Sequence, residues 1–343
     1  MGKMSVNIKD VAKLANVSIS TVSRVINNAP NLKPETKKAV EEAIKKLNYT
    51  PNRVAQNLGG KYFNSIGVLS TRSPHQAFVN PYFSIALQAI AQVCENYNHE
   101  IMLNFSSNEK QELEKCLSMI NGRVVRGFIL LSSRLNHALV ERLLELNFPF
   151  VVIGKVLNED LAGQVYTVDT DNLGDSKEAV NYLISLNHRT IGCIHAPLKY
   201  VVSKERLDGY IEAHKENKLP VNYSLVADGG YTVNDAYEAA KKILSGPVRP
   251  TAIFATDDIK GLGVFKALNE AGLRIPDDIS LIGHNNYDIA ELIQPPLTTI
   301  DVPIEQLGSI AAEILFDLIN GKQPPKRTIL KTKLIIRGSC REI

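Results

Sequence analysis

The sequence predicts a small all-α head joined to an α/β body of two doubly wound parallel-sheet subdomains. Three observations predict it. Residues 1–50 carry short apolar stripes at helical spacing, divided by capping and turn residues. Residues 51–63 open with a proline and run into a Gly-Gly pair at 59 and 60. From Ser65 onward, apolar β-branched runs alternate with amphipathic stretches.

The head reads as three helices. Asn7 is placed to cap the first, with Asp10 as its capping-box acid, and Ile8, Val11, Ala12 and Ala15 keep the helical period. Asn16 breaks it. Ser18 caps a second helix whose apolar side is Val22, Val25 and Ile26. A third follows Pro34, where Val40, Ala43, Ile44 and Leu47 form an i, i+3, i+4, i+7 stripe. Two short helices joined by a tight turn, with a third closing the core, make a helix-turn-helix domain over residues 1–50. In YTPNRVAQNLGGKYF (49–63), Thr50 and Pro51 start a helix of about two turns. That is too short to persist alone, so residues 51–63 are expected to be a linker that folds conditionally.

In the remaining 64–343, SIGVLST, HEIMLNF, VRGFILLSS, FPFVVIGK, VYTVD, TIGCIHA, YSLVADGG, PTAIFATDD and ISLIGHNN read as strands. PYFSIALQAIAQVCENYN, LVERLLELN, SKEAVNYLISLN, DAYEAAKKILS and GLGVFKALNEAG lie between them as helices. Regular alternation with buried-type strands means parallel sheets covered on both faces. The length calls for two subdomains, and the extended VYTVDTDN is the expected crossing. Subdomain 1 is expected at about 64–165 and 295–325, subdomain 2 at about 166–294 and 326–343. Ligands bind outside the carboxyl ends of such strands, which places a site between the two subdomains.

Composition narrows the function. Hydrophobic content of 44% and charged content of 22% suit a soluble globular chain. Four dispersed cysteines form no C-x-x-C pair, which argues against a disulfide framework or cysteine zinc site and fits a reducing cytoplasm. No run of 18 apolar residues and no signal-type N-terminus occur, so neither a membrane span nor export is expected. Residues 1–62 hold 11 Lys/Arg against 4 Asp/Glu, a net of +7, while the rest hold 28 against 32, a net of −4. A basic head on a mildly acidic body fits either a polyanion partner for the head or a lysine-rich solubilising surface. There is no H-E-x-x-H and no G-x-S-x-G. GLGVFKAL lacks the third glycine of a dinucleotide loop, and Asp257 and Asp258 are neighbours that need not converge. No catalytic set, metal site or cofactor is expected.

Residues 17–27, VSISTVSRVIN, hold four hydroxyls, one arginine and no acid. As the second helix of a helix-turn-helix they would enter a major groove by their N-terminal end, presenting Ile19, Ser20 and Arg24. Arginine matches the two acceptors of guanine, and isoleucine can touch a thymine methyl. The alternative is an ordinary surface helix with solvated hydroxyls.

DVAKLANVSISTVSRVIN (10–27) and YTPNRVAQNLGGK (49–61) resemble the head and hinge of the lactose-repressor/galactose-repressor family of bacterial transcription regulators. The resemblance continues through IGVLS, NPYF, VDTDN, LNHRTIGCI, ERLDGY, PTAIFATDD, IPDDISLIGHNN, PPLTTID and IIRGSC. It implies a sequence-specific repressor of double-stranded DNA. Ile19, Ser20 and Arg24 match base-reading positions, and Thr21 and Ser23 lie near the phosphates. Asn27, Tyr49, Asn52, Val54 and Ala55 complete the DNA-binding set. Leu58 matches a leucine that wedges into the minor groove, and Gln56 stands where many members carry arginine. Wedging takes two hinge helices side by side, which implies a homodimer on a near-palindromic operator.

The family body is similar to periplasmic sugar-binding proteins, whose cleft closes on a small effector. Arg206 matches the effector-gripping arginine, while Asp257 and Asn285 match polar cleft positions with their usual residue types partly exchanged. Tyr82 and Phe83 are expected at the entrance, or else as helix packing. Lys155 and Tyr231 complete the effector set. NPYFSIALQ, FPFVVIGK, VDTDN and HNNYDIAELIQPPLTTID resemble maltose-operon repressors, which implies a maltose-type sugar. A phosphoprotein corepressor acting on the same fold is the main alternative, and an exported sugar-binding protein a remote one.

Overall fold

The computed structural model describes residues 6–26, 29, 32–49, 64–106, 108–131, 134–135 and 138–343. Asn27, Asn52, Val54, Ala55, Gln56 and Leu58, and with them the expected hinge helix, lie outside the described residues. The chain divides into two compact units, residues 1–63 and 64–343.

In the first unit, α1 (Ile8–Leu14) starts at a full Asn7/Asp10 capping box. It ends where Asn16 turns left-handed at φ 51° and Val17 N–H bonds back to Ala12 O at 3.0 Å. That is a Schellman exit with asparagine in glycine's usual place. Ser18 Oγ then accepts from Thr21 N at 3.1 Å and opens α2 (Ile19–Ile26). Pro34 occupies the first turn of α3 (Pro34–Lys46). Val11, Ala12, Val22, Val25, Val40 and Ala43 are buried together between the three helices. Asparagine exits recur at Asn48, Asn98, Asn147 and Asn187.

The second unit holds two six-stranded sheets. β1 (Ser65–Ser70), β2 (Glu100–Phe105), β3 (Phe128–Leu130), β4 (Phe150–Ile153) and β5 (Tyr166–Thr170) form the first with β11 (Arg327–Leu330), in the order β11-β5-β4-β3-β1-β2. β6 (Ile191–His195), β7 (Val226–Asp228), β8 (Ala252–Ala255), β9 (Ser280–Asn285) and β10 (Thr298–Asp301) form the second with β12 (Lys333–Ile335), in the order β12-β10-β9-β8-β6-β7. All pairings are parallel except β10 with β12. The nine strands read from the sequence all form. β10, β11 and β12 were not among them, because threonine, aspartate, arginine and lysine take up much of TTID, RTIL and KLI.

Short α4 (Pro74–Phe78) precedes α5 (Pro81–Asn96), which packs with α14 (Ile304–Ile319) against the first sheet. α6 (Glu109–Asn121) and α7 (Ala138–Glu145) bury Cys116, Val140 and Leu143 on its other face. α8 (Glu159–Ala162) is a single turn. Around the second sheet, α9 (Asn172–Ser185) pairs with α10 (Val201–Glu216), and α11 (Val233–Leu244) with α12 (Asp258–Glu270). A single turn, α13 (Ile289–Leu292), follows β9.

The subdomain limits differ from those expected. β5 pairs with β4, so residues 166–170 belong to the first subdomain and the chain crosses at Asp171, whose side chain caps α9. β10 pairs with β9, so residues 298–301 belong to the second, and the return crossing follows Asp301. β11 pairs with β5, so residues 327–330 lie in the first, and the last crossing is only Lys331–Thr332. The crossings fall where strands end, because each parallel strand needs its whole length to complete a ladder begun by its neighbour.

Gly209 lets α10 settle on the start of α9. A methyl there would run into the Leu173 carbonyl oxygen and Ser176 Cβ. Gly209→Ala should cost about 1–3 kcal/mol through overpacking, read as a lower urea midpoint with an unchanged m value.

Candidate functional site

On α2, Ile19, Ser20 and Arg24 are exposed on the face opposite buried Val22 and Val25. Thr21 and Ser23 are half-buried beside them. Ser18 Oγ lies 2.7 Å from Ser20 Oγ and 2.8 Å from Thr21 Oγ1, so the helix start is a string of linked hydroxyls. No acid occupies the first turn, and the helix N-terminus is polarised to favour a phosphate. Tyr49 packs against the three-helix core after α3.

The second unit has a cleft of about 810 Å³, open space at its mouth included, at the carboxyl ends of both sets of strands. Arg206, on α10, lies at its floor and is 7% exposed. Its Nε donates to Asn172 Oδ1 at 3.0 Å, Nη1 to Thr256 O at 2.6 Å and Nη2 to Asn285 Oδ1 at 3.0 Å. Burying a guanidinium is tolerable only with such partners. Asn285, which ends β9, and Asn286 just after it have φ of 106° and 56°. Asn285 Nδ2 donates to Asp257 Oδ2 at 2.9 Å and to Tyr287 Oη at 2.8 Å.

Asp257 caps α12 through Ile259 N at 2.8 Å. Its other oxygen accepts from Asn80 Nδ2 at 3.0 Å. Asn80 caps α5 through Tyr82 N and accepts from Tyr287 Oη at 2.8 Å. Asn80 belongs to the first subdomain and Asp257 and Tyr287 to the second, so these bonds cross the cleft. Tyr200 Oη to Thr71 O at 3.3 Å and Leu135 N to Lys199 O at 3.1 Å cross it as well.

Two buried carboxyls stand close by. Asp169 accepts from Thr170 N and Asn172 Nδ2, and burial pushes it up to about 7. Asp258 accepts from Tyr287 N at 2.9 Å and Thr299 Oγ1 at 2.7 Å, and burial pushes it likewise to about 7. Burial, with Asp169 beside it, raises the Tyr82 hydroxyl too. His284, wholly buried behind Asn285, is held well below its ordinary value by burial and by Arg206.

Of the effector residues expected from sequence, Tyr82, Phe83, Arg206, Asp257 and Asn285 line the cleft. Phe83 is also core, packed on Phe78 and Phe105 with ring centroids 5.0 and 5.4 Å away. Lys155 is not among the lining residues, and its neighbour Gly154 takes that place. The Lys155 ammonium is drawn instead to Glu205, 2.7 Å away. Tyr231 lines a smaller adjoining pocket, with its hydroxyl 3.4 Å from that of Tyr200. Asn80, Asp169, Asn172 and Tyr287 were missed as site residues. Their signal was position: Asp169, Asn172 and Tyr287 stand at or just beyond a strand end in VDTDN or HNNY, and Asn80 caps a helix in NPYF.

Two family models match the chain: the lacI family of bacterial regulatory proteins over residues 7–52, and a periplasmic binding protein-like domain over residues 180–340. The HTH-type transcriptional repressor PurR of Escherichia coli strain SMS-3-5 is 36% identical over 334 residues, covering 97% of this chain and 96% of the relative. This chain belongs to the LacI family. PurR of Pasteurella multocida strain Pm70 is 33% identical over 336 residues, with 97% and 98% covered. Among solved structures, the lac repressor dimer bound to operator and the anti-inducer ONPF aligns with a TM-score of 0.86 at 26% identity, over 98% of this chain and all of that one. The transcriptional regulator CelR–cellobiose complex aligns at 0.75 and 30%, over 97% and 99%. A ribose-bound LacI family regulator from Enterococcus faecium aligns at 0.71 and 27%, over 81% and 99%.

As a LacI family member, the chain is a DNA-binding transcriptional repressor with a ligand-binding, periplasmic-binding-protein-like body. No described helix is long and apolar enough to cross a membrane. The relatives reported carry the name PurR and not that of a maltose-operon repressor.

The raised carboxyls give a pH signature. An unfolded aspartate ionises near 4, so folded Asp258 keeps a proton through a range in which the unfolded chain has lost it. That contribution is present in acid and is lost as pH rises through 7. Between pH 6 and 8 the stability of Asp258→Asn relative to wild type should therefore move in the variant's favour by about 1 kcal/mol. Urea unfolding across that range measures it, and a pH-independent difference would mean the carboxyl is ionised throughout.

Proposed function

We propose that the protein is a homodimeric repressor of a near-palindromic operator, and that a small sugar in the cleft sets its operator affinity. α2 reads base edges with Ile19, Ser20 and Arg24, while Thr21 and Ser23 approach phosphates. Asn27 and Tyr49 support the contact, and residues 51–63 form the hinge, with Leu58 as its wedge and Asn52, Val54 and Ala55 around it. The sugar is held by Arg206, Asp257 and Asn285 beside Tyr82 and Phe83.

One observation carries the effector reading. The cleft sets two guanidinium groups, Arg72 and Arg206, and two carboxyls, Asp169 and Asp257, around aromatic Tyr82. Hydroxyls both donate and accept, so a ring bearing several of them uses both kinds of group, and its C–H face suits the aromatic side chain. The cellobiose and ribose complexes of the structural relatives support a sugar of one or two rings. A maltose-type sugar rests on segment resemblance alone and takes its place among the candidates.

Coupling follows from differential affinity. A ligand shifts the repressor only to the extent that it prefers one cleft geometry. The bonds of Asn80 to Asp257 and Tyr287 are the ones a ligand entering between the subdomains would exchange. Depending on which geometry it favours, the sugar acts as inducer or corepressor.

Fluorescence anisotropy on a palindromic operator with a central C-G step, titrated with maltose, cellobiose and ribose, tests this. At least one sugar should change the operator Kd by tenfold or more, and Arg206→Ala should abolish that response while still binding operator. Absence of a response to any small sugar would remove the sugar reading and direct the search to a phosphoprotein corepressor. Arg24→Ala should lose about 10- to 100-fold in operator-over-random-DNA discrimination and keep weak, salt-sensitive binding. Undiminished discrimination would mean that α2 reads bases without Arg24.

A further inference from the structure

Beside the cleft lies a second pocket of about 380 Å³, open space included, which shares Arg72, Asn80, Val202, Arg206 and Asp257 with it. Lys260, in the first turn of α12, lines only this pocket and is 4% exposed. Its Nζ has no carboxylate within ion-pair distance among the described residues. Asp257, three residues earlier, has both oxygens committed to Asn80, Asn285 and Ile259 N. Asp228 and Asp235 act on Lys260 only from a distance. Asp228 is bound to Gly230 N, and Asp235 to Tyr231 N and Thr232 N.

Arg72 reaches the same pocket from the turn after β1. Its guanidinium lies 5.3 Å from the Tyr200 ring centroid and 5.8 Å from that of Tyr231, and its Nε is buried without a hydrogen-bond partner. Arg206 forms the third side, bonded only to neutral oxygens. Among the residues lining this pocket, three cations thus face one carboxylate, with Asp228 and Asp235 acting from farther off, so the lining itself is net positive. Burial and the two arginines hold the Lys260 ammonium below its ordinary value. Gathering like charges out of water is unfavourable unless something of opposite sign is there.

We propose that this pocket is an anion subsite and that the effector is a phosphorylated sugar, its ring in the cleft beside Tyr82 and its phosphate against Lys260 and Arg72. A phosphate monoester carries about −1.5 to −2 charge at neutral pH, opposite in sign to the lining, and offers oxygen acceptors to Lys260 and to the unpartnered Arg72 Nε. Lysine serves as a point charge for phosphate, and the planar guanidinium adds directed donors. The subsite also gives a means of discrimination, since an unphosphorylated sugar leaves the cations unpaired. The proposal rests on the sugar reading above, and its test separates the two.

Isothermal titration calorimetry on the full-length protein would compare phosphorylated hexoses and disaccharides, glucose 6-phosphate among them, with their unphosphorylated parents and with inorganic phosphate. At least one phosphosugar should bind ten times or more tighter than its parent. Inorganic phosphate should compete with it, and Lys260→Met and Arg72→Gln should each erase that margin. If sugars bind but phosphorylation gives no advantage and Lys260→Met changes nothing, the anion subsite is overturned and the sugar reading stands. If inorganic phosphate binds through Lys260 and no sugar of either kind does, the phosphosugar and the sugar reading fall together. Binding of no probe at all would overturn both as well.

Discussion

A guanidinium buried at the floor of a cleft imposes demands on everything around it. Arg206 needs oxygen acceptors that are fixed in place before any ligand arrives, because a mobile partner would leave a charge out of water unsatisfied. The fold meets that need with groups at separate chain positions: Asn172 at the start of α9, the Thr256 carbonyl after β8, and Asn285 at the end of β9. All stand at the carboxyl ends of parallel strands or just beyond them, where a doubly wound sheet turns its backbone toward ligand. Asn285 in turn holds Asp257, and Asp257 holds Asn80 of the other subdomain. One arginine therefore ties the orientation of the second sheet's loops to the first.

The same region gathers the groups that sit least comfortably in a protein. Asp169 and Asp258 are raised to about 7, and Lys260 is lowered, in each case chiefly by burial. Gly283 has no side chain where Asp258 must enter, and a methyl there would collide with the carboxyl. Perturbed titratable groups concentrated at one cleft mark a place arranged for recognition at the expense of local stability. The head shows the opposite economy. Its core is a handful of small aliphatic side chains, and the exposed face of α2 carries hydroxyls, one isoleucine and one arginine.

Much of this was legible in the sequence. The three head helices follow from Asn7, Asp10, Ser18 and Pro34, since capping acts over a few residues and leaves a local trace. The nine strands of β1 to β9 announce themselves as apolar runs, although the edge strands β2 and β7 are partly exposed. Arg206, Asp257 and Asn285 were placed through resemblance, and the cleft contains all three. What escaped is long-range. β11 and β12 are half-exposed, with charged ends, and owe their state to partners more than a hundred residues away or to one far edge. The subdomain limits escaped for the same reason, because pairing, not local pattern, decides which sheet a strand joins. Lys260 has no local signal in the sequence, and only the approach of Arg72 from the other subdomain gives it a setting. Lys155 misled in the reverse sense, as its ion pair with Glu205 cannot be read from either segment.

The chain passes between the two sheets three times, and the last passage is only Lys331 and Thr332, with Thr332 bonded to Asp175. Leu330 ends in one sheet and Lys333 begins in the other, so neither sheet can slide past its partner without stretching a two-residue tether. Like covers sewn to a spine by three threads, the halves are tied against sliding more than against a swing about the stitching. Whatever enters the cleft acts on two halves whose relative travel these crossings limit.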